Sequence, residues 1–194
     1  MIAHLSASTR HGGDHQSNKV LVGSVKEAIK RGAVGVSCQV NIGSPTEASM
    51  LERMGYVTTD AYMNDVPTLG MIYVRGKNVN IMENDTTQGY AHAARIAFEL
   101  GCDAAKTVWT GSAESFAKVC QAAPIPLLVA GGPSTGNSKQ ILRMVKQSLD
   151  AGGSGVCMGR QIFAHKDVTA ITKALVMIVH HGVSVEEAIE RCSL

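Results

Sequence analysis

Lys106 stands in the stretch CDAAKTVWTG at 102–111, apolar on both sides and bounded by Gly101 and Gly111, which reads as a buried strand between two turns. An ammonium taken out of water without a partner is costly or loses its proton. A lysine there is therefore either an edge-strand charge or an amine in chemical use, and the stretch alone leaves both open. Alternate strand residues share a side, which puts Lys106 with Ala104 and Val108 and turns Thr107 and Trp109 the other way. Small neighbours leave room around the amine. In LGMIYVRG at 69–76, Tyr73 shares a face with Leu69, Met71 and Arg75, so a phenol sits near the C-terminal end of its strand with a guanidinium beyond it. A strand tyrosine capped by a backbone carbonyl is the plainer account of the same pattern.

Two further stretches, LLVAGGPSTGN and GVCMGRQIF, place glycines where a parallel strand opens into the next helix, and backbone N–H groups there can approach an anion closely. In barrels the loops after strands 7 and 8 commonly bind phosphate. If these are the last two strands, Gly131 and Gly132 with Gly159 and Arg160 form that site, and Arg160 adds bidentate charge; ordinary turns would also use such glycines. An amine inside a barrel, beside a phenol and facing a phosphate site, suits a Schiff base on a phosphorylated ketone. Burial favours the free base, the free base attacks the carbonyl, and the iminium is an electron sink for making or breaking a carbon–carbon bond while a tyrosine shuttles protons. That chemistry asks for no metal and no cofactor.

The remaining candidates are weaker. HGGDH at 11–15 brings two histidines and an aspartate together without a third ligand at helical or strand spacing, and reads as a loop. His180 and His181 fall at a helix C-terminus, where imidazole is favourable, and His4 and His92 read as structural. There is no P-loop.

The elements that must position these residues alternate. Apolar runs at 2–6, 34–41, 68–74, 104–109, 126–132 and 154–159 are separated by helical patterns starting at Val25, Pro45, Gln88, Ala113 and Ser138. The segment 168–194 reads as helical with a break at Gly182 and a new N-cap at Ser184. Helices closing in KRGA, ELGC and DAGGSG carry the C′ glycine of an αβ loop. Six βα units with non-alternating apolar strands predict a parallel sheet covered by helices, either doubly wound or a barrel. A full (β/α)8 barrel has eight units in about 250 residues; at 194 residues this chain is about two units short, and it reads as one domain spanning 1–194.

Composition narrows the function. A net charge of +2 with no basic stripe, and aromatic residues at 4%, argue against a nucleic-acid partner. Five scattered cysteines without a CxxC pair favour reduced thiols and a cytoplasmic setting. No signal peptide or membrane span is visible.

HLSAST, KVLVGSVKEAIKRGA, VNIGS, MIYVRGKNV, YAHAARIAFELG, AAKTVWTG, LLVAGGPST and GVCMGRQIFAHKD resemble, in order and spacing, the archaeal-type class I aldolases of the DeoC/FbaB-like group. The resemblance implies a (β/α)8 TIM-barrel enzyme, commonly a decamer, with the Schiff-base lysine at Lys106 and the proton-transfer tyrosine at Tyr73. It places the phosphate loops at Gly131, Gly132, Gly159 and Arg160. MIYVRGKNV and AHAARIAFELG are more similar to 2-amino-3,7-dideoxy-D-threo-hept-6-ulosonate synthases, which join a phosphorylated deoxy-keto sugar to aspartate semialdehyde in aromatic biosynthesis, than to fructose-bisphosphate aldolases. Three departures stand out. Val74 replaces the proline of YPRG, and Trp109 replaces the tyrosine of KxxYTG. The first two βα units, with their Asp-His-Gly motif, have no counterpart. The expectation is a six-stranded remainder of the barrel, cut from a longer enzyme.

Overall fold

The computed structural model describes residues 1–9, 11–12, 18–76, 79, 86–131 and 137–194. In chain order its elements are β1 (Ile2–His4), β2 (Ser6–Ala7), β3 (Val20–Leu21), α1 (Val25–Lys30), β4 (Gly35–Ile42), α2 (Glu47–Tyr62), β5 (Thr68–Val74) and α3 (Thr86–Glu99). There follow β6 (Ala104–Val108), α4 (Ala113–Gln121), β7 (Leu127–Ala130), α5 (Ser138–Asp150), β8 (Gly155–Cys157), α6 (Arg160–Phe163), α7 (Val168–His181) and α8 (Val185–Cys192).

Strands β1-β4-β5-β6-β7-β8 form one six-stranded parallel sheet in that order, curled into a half-barrel. Each strand of the apolar pattern is present, and β5 has the expected bounds. Two features carry no legible period. The antiparallel pair β2–β3 has two residues per strand, and α6 has four residues in all; neither is long enough for a repeat to show. The helix ends follow their caps. Gly32 and Gly101 adopt φ +88° and +82°, the left-handed turn that releases each helix into the next strand. Ser184 caps α8 by accepting from the Glu187 N–H, and Gly182 ends α7 at φ +65°.

The curl gives the sheet two unlike faces. The outer face packs under the helices: Val36, Cys38, Val40, Ile72, Ala105 and Leu127 join Met50, Met54, Val57 and Ala97 in one apolar core. Phe116, Val129, Leu142, Ile171 and Ile178 form a second core around α5 and α7. At typical transfer energies each buried Val, Leu, Ile, Met or Phe among them contributes about 1.5–3 kcal/mol by leaving water. The outer-face layer therefore fixes which strand residues must turn inward. The burial alternation of β6 records this, with Ala105 and Thr107 buried and Ala104, Lys106 and Val108 half-buried on the opposite face.

Candidate active site

Parallel pairing puts register partners on the same face of a sheet. Lys106 pairs with Met71 on β5 and Leu128 on β7, and Met71 pairs in turn with Gln39 on β4. One step towards the strand C-termini, Val108 pairs with Ala130, and Tyr73 pairs with Asn41. One step the other way, Ala104 pairs with Leu69, Leu69 with Ser37, and Ser37 with His4 on β1. The inner face therefore carries His4, Ser37, Gln39, Asn41, Tyr73 and Lys106. Barrel interiors are normally filled by branched apolar side chains. A polar interior with a lysine in its middle layer is a site that spends stability on chemistry or binding.

Those polar groups hold one another in place. His4 Nδ1 and Ser37 Oγ are 2.9 Å apart, and His4 Nε2 lies 3.3 Å from Ser6 Oγ, which also accepts from the Gln39 N–H at 3.0 Å. Gln39 Nε2 donates to Asn41 Oδ1 at 2.8 Å. His4 is thus held structurally, as its sequence context suggested, but inside the site. Burial, followed by the Lys19 and Lys106 ammoniums, lowers its proton affinity below the ordinary imidazole value. With the folded pKa below the unfolded one, the unfolded chain takes up the proton first. The contribution to stability is therefore complete above the unfolded pKa of about 6.5 and is lost as the pH falls below it towards the folded pKa. The urea midpoint should fall between about pH 7 and pH 5.5 and fall less in His4→Asn; an equal fall in both proteins would remove His4 from the account.

Tyr73 is buried to 7% exposure, and Arg75 stacks over it with Cζ 4.2 Å from the ring centroid. A glycine pair fixes this. The Arg75 and Gly76 N–H groups both donate to the Ile42 carbonyl at 3.1 Å, so the chain leaving β5 folds directly over the end of β4. A Cβ on Gly76 would fall 1.5 Å from both C and O of Gly43, which is itself at φ +79°. Only glycine permits that crossing. The Gly43 N–H is held in turn by the Glu47 carboxylate. Residue-type reasoning singled out Tyr73 and Arg75 but missed Gly43 and Gly76. The signal was present in VNIGS and YVRG, whose glycines have no other evident duty.

On the other flank of Lys106, β7 ends at Ala130 and opens through Gly131. A Cβ there would meet Gln161 Oε1 and Met158 Cγ at 3.1 Å, which ties the β7 end to the β8 end. Gly159 precedes α6, a Cβ there would meet nothing within 4 Å, and Arg160 is exposed beside it. Gly132 and residues 13–15 of HGGDH lie outside the described residues. Trp109 packs its ring on Phe116, centroids 5.3 Å apart, on the helix side of the sheet, and Val74 lies against α3 at Gly89. Both departures from the resembled motifs thus face packing and leave the lysine's face unchanged. His92 is exposed on α3, and His180 and His181 lie in the last turn of α7. All five cysteines are free thiols. Burial, with Asp103 and Cys38 nearby, pushes Cys102 up to about 12, so it stays protonated, packed 3.8 Å from Met54 Sδ. Among the described residues no helix is long and apolar enough to cross a membrane.

Parallel strands curled into a half-barrel under a layer of helices, with a lysine and a tyrosine on the inner face, make a barrel-type α/β architecture. The chain belongs to the DeoC/LacD family of aldolases, whose pattern it matches over residues 1–165. It is 38% identical over 193 residues to a 2-amino-3,7-dideoxy-D-threo-hept-6-ulosonate synthase of Halobacterium salinarum, covering 100% of this chain and 71% of that protein. It is 37% identical over 182 residues to a 2-amino-4,5-dihydroxy-6-oxo-7-(phosphonooxy)heptanoate synthase of Streptomyces griseus, covering 94% of this chain and 65% of the relative. Among solved structures, a Schiff-base-forming fructose-1,6-bisphosphate aldolase superposes with a TM-score of 0.84 at 32% identity, over 92% of this chain and 71% of that one. The chain therefore spans between 65% and 71% of the length of these proteins.

Proposed function

We propose that the chain is a Schiff-base-forming class I aldolase or transaldolase acting on a phosphorylated ketose or deoxy-keto sugar, in the manner of the heptulosonate synthases it resembles. Lys106 forms the imine, Tyr73 moves the proton, and Gly131, Gly132, Gly159 and Arg160 hold the phosphate. The observation that carries this is the register. Met71↔Lys106 sets Tyr73 one layer from the amine on the neighbouring strand, and Lys106↔Leu128 sets the amine beside the strand that opens at Gly131. A phosphate held at the ends of β7 and β8 puts the adjoining carbonyl over Lys106. The amine adds to that carbonyl, water leaves, and the iminium nitrogen draws in the electron pair of the bond being broken, or releases it to a new carbonyl carbon. Tyr73, shielded from water under Arg75, passes the proton to or from the product oxygen. The resulting setting is cytoplasmic, in aromatic biosynthesis, with fructose 1,6-bisphosphate as the alternative substrate and a homo-oligomer, by family likeness a decamer, as the assembly.

Tyr73→Phe is expected to retain the imine and lose turnover by about 10²–10⁴-fold, the usual worth of a positioned proton-transfer group; unchanged turnover in aldol assays with dihydroxyacetone phosphate would refute its role. A second reading has support at the β8 end, where Arg160 is exposed beside Gly159 and open to an anion whether or not Lys106 reacts. On that reading the chain binds a phosphosugar without reacting. Stabilisation by dihydroxyacetone phosphate that is lost in Arg160→Ala, with no aldol turnover, would favour it.

A further inference from the structure

His165 is a half-buried side chain that neither the core nor the proposed imine chemistry uses. Its ring is fixed at the head of α7, where Nδ1 stands 2.8 Å from the Asp167 carbonyl oxygen and 3.0 Å from the Asp167 nitrogen. The Asp167 carboxylate is occupied elsewhere, capping α7 by accepting from the Ala170 N–H at 2.8 Å. The other ring nitrogen, Nε2, reaches Ser138 Oγ at 2.8 Å across 27 positions of sequence. Ser138 is the first residue of α5, directly after the N-cap Asn137. One imidazole therefore ties the head of α5 to the head of α7. Apolar packing does not do this. The buried residues of α5 begin at Ile141 and those of α7 at Ile171, while the first three residues of each helix are half-buried or exposed. The core fixes the helix bodies and leaves their heads to polar links.

A second contact joins the same two segments. Gln161, buried to 5% exposure in α6, lays its amide over Gly131, where a Cβ would stand 3.1 Å from Gln161 Oε1 and 3.2 Å from Cδ. The chain leaving β7 is thus held at Gly131 by Gln161 and at Ser138 by His165, both from the short segment that follows β8. A phosphate gripped by groups from two segments binds well only if their separation is set beforehand, since otherwise binding must order them. We infer that His165, acting through Ser138 and alongside Gln161, is a positioning residue that fixes the β7 exit against the β8 exit for the phosphate of the ketone substrate. The inference rests on the reading of Gly131 and Arg160 as the phosphate site and does not depend on imine formation at Lys106. His165 touches no reacting atom. Its effect is confined to substrates that carry the phosphate.

The test is borohydride trapping of the full chain over concentration series of dihydroxyacetone phosphate and of dihydroxyacetone, which differ only by the phosphate. His165→Ala and Ser138→Ala should each raise the dihydroxyacetone phosphate concentration for half-maximal trapping by about three- to tenfold, as loss of one hydrogen bond implies, and leave that for dihydroxyacetone unchanged. The double variant should bind no more weakly than either single one, because both substitutions break one link. A fold defect would shift both ketones together. Inorganic phosphate, titrated by calorimetry in parallel, should weaken by the same factor in both variants. Equal shifts for the two ketones, no shift for either, or additive losses in the double variant overturn the inference. A chain that traps neither ketone fails the imine reading alone; the phosphate titration then decides, and unchanged or undetectable phosphate binding overturns the role of His165.

Discussion

Lys106→Ala is expected to abolish aldol cleavage and synthesis, a loss of about 10⁴-fold or more, because no other group replaces the nitrogen that becomes the electron sink. The same substitution should leave folding almost untouched. Lys106 is half-buried, and among the described residues it has no carboxylate within 4 Å, so its removal strands no partner. Its charge acts on His4 only by disfavouring that imidazole's protonation. Thermal midpoints at neutral pH should therefore stay about equal while turnover vanishes. A variant that lost turnover only by unfolding, or that kept measurable turnover, would contradict the role assigned to this lysine.

Gly76→Ala is expected to have the largest effect on the frame. Its Cβ would overlap C and O of Gly43 at 1.5 Å and Ser44 N at 2.2 Å, with backbone on both sides and no flexible side chain to yield. The ends of β4 and β5 must separate, the bonds from Arg75 and Gly76 to the Ile42 carbonyl are lost, and Arg75 leaves the Tyr73 ring. The cost should reach about 3 kcal/mol or more, read as a fall of about 1 M or more in the urea midpoint. Gly55→Ala is the contrast. It lies within α2 with nothing within 4 Å of a new Cβ, and alanine there should stabilise by about 0.5–1 kcal/mol. Equal behaviour of the two variants would mean that the Gly43–Gly76 crossing does not hold the site.

Much of this was legible in the residues because the signals were periodic. The two-residue period of a strand put Lys106 on one face with Ala104 and Val108, and the burial of β6 alternates accordingly. The helix ends were marked by glycines such as Gly101, whose positive φ the turn requires. What escaped were relations between segments. Lys19 lies 87 positions before Lys106, and nothing in its own neighbours says that Arg53 holds its backbone or that its charge acts on His4. Ser37, Gln39 and Asn41 sit at alternate positions in a strand whose apolar residues dominated the pattern, and their polarity became meaningful only when the register aligned them with Met71 and Tyr73. The Gly43–Gly76 crossing depends on a close approach between two loops, which no local pattern encodes.

The most direct test of the account is to incubate the folded chain with dihydroxyacetone phosphate, reduce with borohydride and map the added mass by peptide mass spectrometry. The account predicts one stable adduct, on Lys106 and absent from Lys106→Ala. A folded chain that gives no adduct, or one that carries it on another lysine such as Lys19, would contradict it.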